Sequence, residues 1–109
     1  MCVVIYKLTQ KGSFSKDWSL KDQINRSSGS SMDNIAEGFD RNSTKEFRQY
    51  LFIAKSSASE VKPQLYRALD RDYIHQKEFE KAFNLANDVT QLIGGFLNYL
   101  RNINTKKIN

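Results

Sequence analysis

The chain of 109 residues is long enough for one hydrophobic core and too short for two. Hydrophobic residues at 39% and aromatics at 12%, with one proline and five glycines, exclude a disordered chain and a loop-rich β fold. Seventeen Lys and Arg against twelve Asp and Glu leave a net charge of +5, which points to an anionic partner, and no apolar run reaches the length of a membrane span.

Met1-Cys2-Val3-Val4-Ile5-Tyr6 is apolar but has neither the basic flank nor the small-residue cleavage site of a signal peptide. The expected location is therefore cytoplasmic, where the Asn25-Arg26-Ser27 and Asn42-Ser43-Thr44 sequons go unused and the single Cys2 forms no internal disulfide. Val3 to Leu8 fits a strand or the end of a helix. Lys11-Gly12-Ser13, a cation followed by glycine, is helix-ending chemistry, so a short helix is expected over 2–10. Phe14-Ser15-Lys16-Asp17-Trp18 reads as a loop whose two aromatics plug one end of the molecule.

A second helix is expected over 19–39. Leu20, Ile24, Ser27, Ser31 and Ile35 share one face, with Ser28, Met32 and Phe39 beside it. Serines at core spacing imply close helix packing, a kink or a polar network. The third helix, over 43–72, has the clearest pattern: Phe47, Leu51, Ala54, Ala58, Val61, Leu65 and Ala68 alternate steps of four and three. Ser43-Thr44-Lys45-Glu46 opens it as a capping box. Pro63 removes a donor and crowds the carbonyl four residues before it, so the helix either kinks near Ser59 or ends and restarts there; the unbroken period favours the kink.

The fourth helix is expected over 76–103, with Phe79, Ala82, Ala86, Val89, Ile93, Phe96, Leu100 and Ile103 on one face and a tail over 104–109. Phe83, Leu92 and Leu97 widen that stripe, giving the helix more than one contact surface. Gly94-Gly95 in its middle costs about 1 kcal/mol per glycine, a penalty that close approach of another backbone would explain.

Gln23-Ile24-Asn25-Arg26, Asn34-Ile35-Ala36-Glu37-Gly38-Phe39, Lys45-Glu46-Phe47 and Leu51-Phe52-Ile53-Ala54-Lys55-Ser56-Ser57 together resemble the proteins encoded by intervening sequences within 23S rRNA genes. That family includes the accessory variability determinant of diversity-generating retroelements. The resemblance spans about Phe14 to Leu100 and implies an up-and-down four-helix bundle assembled as a cyclic homopentamer. For the variability determinant it also implies binding of nucleic acid and a reverse transcriptase. This chain departs from the family pattern in a first helix that starts late, in Met32-Asp33 where proline is usual, and in Pro63.

Catalytic chemistry is thin. His75 stands at a helix start, where capping or exposure outweighs general-base work, and Cys2 has no partner base. No metal-ligand cluster or cofactor motif occurs. Asp33 and Glu37 could pair as carboxylates, but a structural network of Arg26, Asn34, Glu37 and Glu60 is the stronger reading, with Gly38 supplying a positive-φ helix end. The basic residues are better organised: Arg41 leads into Lys45, Arg48, Lys55 and Lys62, which share a stripe suited to phosphates, and Arg101, Lys106 and Lys107 form an acid-free tail.

Phe52 lies within the stripe, where a subunit contact is favoured over base stacking; Tyr50, Gly94 and Gly95 join it as interface residues, with Tyr66 and Tyr99 as further ones. The expected protein is a non-enzymatic homo-oligomer, a pentamer by family resemblance, that binds RNA without sequence specificity. The alternative is a scaffold that docks a protein such as a reverse transcriptase or ribosomal factor.

Overall fold

A computed structural model describes the backbone of residues 1–108 and the side chains of residues 1–103. Among the described residues there are four α-helices, α1 (Cys2–Thr9), α2 (Trp18–Phe39), α3 (Thr44–Asp70) and α4 (Gln76–Ile108), with a 3-10 turn over Gly12–Lys16. This is the expected all-α, up-and-down bundle with a short first helix, 56 × 22 × 17 Å in extent.

Local chemistry fixes the helix ends. Asp17 caps α2 by accepting from the Leu20 amide, and Ser43 caps α3 by accepting from the Glu46 amide at 3.1 Å, as the capping sequence implied. At the end of α3, Asp72 adopts a φ of 60°, and the amides of Asp72 and Tyr73 turn back to the carbonyls of Leu69 and Ala68. That closure stops the helix at Asp70, two residues before 72, with aspartate in the left-handed position more often held by glycine. His75 and Glu78 then exchange side-chain-to-backbone bonds at the start of α4, so the histidine is a cap, as its position implied. No breaker follows Arg101, and α4 runs on to Ile108 instead of stopping at 103. The Lys106 and Lys107 side chains lie outside the described residues.

One sequence expectation needs correction. Phe14 is fully buried and stacks on Tyr73 at 5.3 Å, but Trp18 is 76% exposed and plugs nothing. Because Asp17 starts the helix, Trp18 falls on the face opposite Leu20, where only Lys21 covers its ring. Pro63, by contrast, neither ends nor restarts α3, the alternative that the unbroken period disfavoured, and its ring is exposed.

The serines of α2 form a polar seam with α3. Ser27 donates to Glu60 and accepts from Gln64, Ser30 pairs with Ser57 at 3.1 Å, and Asn34 donates to the Ser30 carbonyl at 2.8 Å. Small hydroxyl-bearing side chains let the two backbones approach while most of their polar atoms satisfy one another; the buried Ser31 Oγ and Gln64 Oε1 find no partner among the described residues.

Two apolar clusters fill the bundle. One joins Ile5, Leu8, Phe14, Leu20, Ile24, Val61, Leu65 and Phe79 and is closed by α1. The other joins Leu51, Ala54, Ile93, Leu97 and Leu100 between α3 and α4, with Ile35, Phe47 and Val89 against it. Helix α1 begins beside Ser28, whose carbonyl accepts from the Cys2 thiol at 3.1 Å. Beyond that level only three helices enclose the core.

Candidate nucleic-acid interface

The basic stripe of α3 lies along its seam with α4. Arg48 and Lys55 reach over the seam to meet Gly94, Asn98 and Arg101 of α4, and with Phe52 they line a cleft of about 260 Å³. Among the described residues no Asp or Glu lines it. The Arg48 Nε–H is buried without an acceptor among the described residues, and the Lys55 ammonium sits 3.6 Å from where a Cβ on Gly94 would stand. Two helical turns further along, Lys62 holds its ammonium 5.7 Å from the centre of the Phe83 ring. Lys45, in the first turn of α3, is exposed beyond the other end of this row.

Arg41 is placed differently. It bonds to Glu37 and to the Tyr50 hydroxyl, each at 2.9 Å, and lies over the Tyr50 ring. Tyr50 first, and then Glu37, hold its already high pKa higher still. Its charge serves the α2–α3 corner.

The four residues expected to form one structural network do not bond to one another. Arg26 pairs with Asp22, not with Glu37, at 3.1 Å; Glu37 pairs with Arg41; Glu60 and Asn34 belong to the serine seam. Gly38 is corrected: its φ is not positive, and the helix closes one residue later at Phe39. A Cβ there would stand 2.7 Å from the Phe47 ring, so the residue provides clearance for an aromatic. Gly94 and Gly95 face no close backbone within the chain; Gly94 opens the basic cleft, and Gly95 lies on the other side of α4. Tyr66 packs on Phe79 and Phe83.

Asn98 was not singled out in the sequence, and Arg101 was read as tail. Gly94, Asn98 and Arg101 are spaced four and three apart, an acid-free stripe that could have been matched to the one on α3. Asp33 is exposed, Glu37 is engaged by Arg41, and His75 caps α4, so the three do not converge. Among the described residues no three His, Cys, Asp or Glu side chains cluster as a metal site, and no helix is long and apolar enough to cross a membrane.

On the opposite side of the bundle an apolar groove runs between α2 and α4 beyond the start of α1. Ile35, Phe39, Phe47, Leu92 and Phe96 line it, and Leu92 is 74% exposed. The Phe39, Phe47 and Phe96 rings form a contiguous set with centroids 4.9–6.5 Å apart, and Tyr99 extends it.

The family model described as 23S rRNA-intervening sequence protein matches residues 1–95. The chain belongs to this family. A crystal structure of a protein of unknown function from the S23 ribosomal protein family of Bacteroides thetaiotaomicron is similar to it, with a TM-score of 0.79 and 26% identity over 88% of this chain and 87% of that one. No curated protein matches. The match of this chain to its family runs through α1, α2, α3 and the first part of α4, so most residues of the groove and of the basic cleft fall inside it, with Phe96, Leu97, Asn98 and Arg101 just beyond.

Proposed function

We propose that the protein is a non-enzymatic, cytoplasmic RNA-binding module that acts as a cyclic homo-oligomer, five-membered by family resemblance. The observation that carries the RNA reading is the cleft at the α3–α4 seam, where Arg48, Lys55 and Arg101 converge and, among the described residues, no Asp or Glu takes part in the lining. Such a surface gains affinity by displacing counterions from phosphates and is indifferent to sequence. Lys45 and Lys62 extend it along α3, and Arg41 contributes from the corner. Reversing charge at Lys45, Arg48, Lys55 and Lys62 together should abolish binding to structured RNA in a low-salt titration. Wild-type protein that leaves such RNA unbound would refute the reading.

The apolar groove supports assembly. It presents large side chains to solvent on a molecule too small to cover them, the usual signature of a protein contact. A second copy is the proposed occupant, and light scattering should return a multiple of 12.6 kDa that Leu92→Glu reduces to one unit with helicity unchanged. The same groove favours a second reading, a scaffold that docks a different protein. A monomer by scattering, together with one protein captured after nuclease treatment, would support that alternative.

A further inference from the structure

We propose that the α3–α4 cleft receives a single unpaired nucleotide, its base stacked on Phe52 and its phosphate held between Arg48, Lys55 and Arg101. This rests on the RNA reading above and adds a discrimination that the reading lacks: single-stranded or looped RNA over duplex.

Phe52 provides the platform. Six of the seven phenylalanines, Phe14, Phe39, Phe47, Phe79, Phe83 and Phe96, contact another aromatic ring. Phe52 contacts none among the described residues, is 54% exposed, and stands at the edge of a cationic cleft instead of an apolar one. A ring left free beside positive charge suits a base, whose π-face stacks while its phosphate reaches the cations. At about 260 Å³ the cleft falls just below the range of drug-sized ligand sites, about 300–1,000 Å³, and suits one flat base with its phosphate at the mouth.

The polar groups agree. The unsatisfied Arg48 Nε–H would find an acceptor in a phosphate oxygen after a small rotation of the guanidinium. Asn98 uses its carbonyl oxygen to accept from Arg101 at 3.2 Å, which leaves its amide hydrogens to meet a base edge. Gly94, unfavourable within a helix, bears no side chain where one would fill the cleft beneath Lys55. Duplex RNA cannot use this arrangement, because its bases are stacked inside while those of loops and single strands are splayed.

The test compares a labelled single-stranded RNA with a duplex of equal phosphate number by fluorescence anisotropy at low salt. Phe52→Leu, which keeps the apolar bulk, and Gly94→Leu, which fills the cleft without touching a charge, should each weaken single-strand binding about tenfold or more and leave duplex binding unchanged. Arg48→Gln with Lys55→Gln should weaken both RNAs. If the single strand is unaffected by Phe52→Leu and Gly94→Leu while Arg48→Gln with Lys55→Gln weakens both RNAs, the nucleotide pocket is wrong and phosphate binding at the seam stands. If the wild type binds neither RNA, both readings fall. A change in subunit number in both leucine variants would place the cleft in a subunit contact and overturn the proposal.

Discussion

Gly38 illustrates what one residue can and cannot disclose. A glycine near a helix end suggests a left-handed turn, but here it lies within α2 and yields space to the Phe47 ring and the Tyr50 Cβ, both from α3. Gly38→Ala should destabilise the fold by about 1–3 kcal/mol in urea unfolding, as overpacking does; an unchanged midpoint would mean the ring yields freely. The reason lies in a contact between different helices, which no local pattern contains. Asp17, expected in a loop, instead caps α2. The Leu20 amide foremost, then the Tyr73 hydroxyl and Arg71, hold its carboxyl below the usual range, against partial desolvation. A carboxyl with a depressed folded-state pKa contributes stability above its unfolded value, about pH 4, and that contribution is lost as pH falls through the folded value. Asp17→Asn, which retains the cap, should flatten the acid limb of thermal stability below about pH 4. An acid limb identical to wild type would show that the carboxylate's charge is unimportant.

At the scale of the element, periodicity was most informative where side chains were apolar. The α3 stripe predicted its buried residues Leu51, Ala54, Ala58, Val61, Leu65 and Ala68, and the period carried the helix through Pro63. Pro63→Ala should stabilise the protein by up to about 3 kcal/mol, because the alanine amide restores the bond to the Ser59 carbonyl on an exposed face. No gain in melting temperature would mean that the helix has already relaxed around the proline. Helix α2 was harder to read because its buried positions include Ser27, Ser28 and Ser31, which propensity assigns to loops. Ser27 meets Glu60 and Gln64, and its neighbour Ser30 meets Ser57, all on α3 and more than twenty-five residues away in sequence, so only the pairing of the helices brings them together. Trp18 was misplaced for a simpler reason: moving the helix start by one residue decides which face a first-turn side chain takes.

At the scale of the molecule, apolar and basic surfaces are divided between the two sides of α4. Where α1 packs, the core is closed on four sides; past Ser28 the α2 and α4 faces stay apolar and uncovered. The sequence revealed the excess apolar surface of α4 through Leu92 and Leu97, but not that Leu97 is buried and Leu92 stands open. The basic stripe was legible as spacing, while its convergence with Arg101 required the α3–α4 pairing. The groove and the cleft lie on different sides of α4, so assembly and RNA binding can proceed together. The account stands on the cleft contacting phosphate. Its most direct measurement is the slope of log affinity against log salt for a single-stranded RNA, in wild type and in Arg48→Gln, Lys55→Gln and Lys62→Gln taken singly. The account predicts a steep wild-type slope that falls by about 0.7 with each substitution. Slopes equal to wild type in all three variants would contradict it.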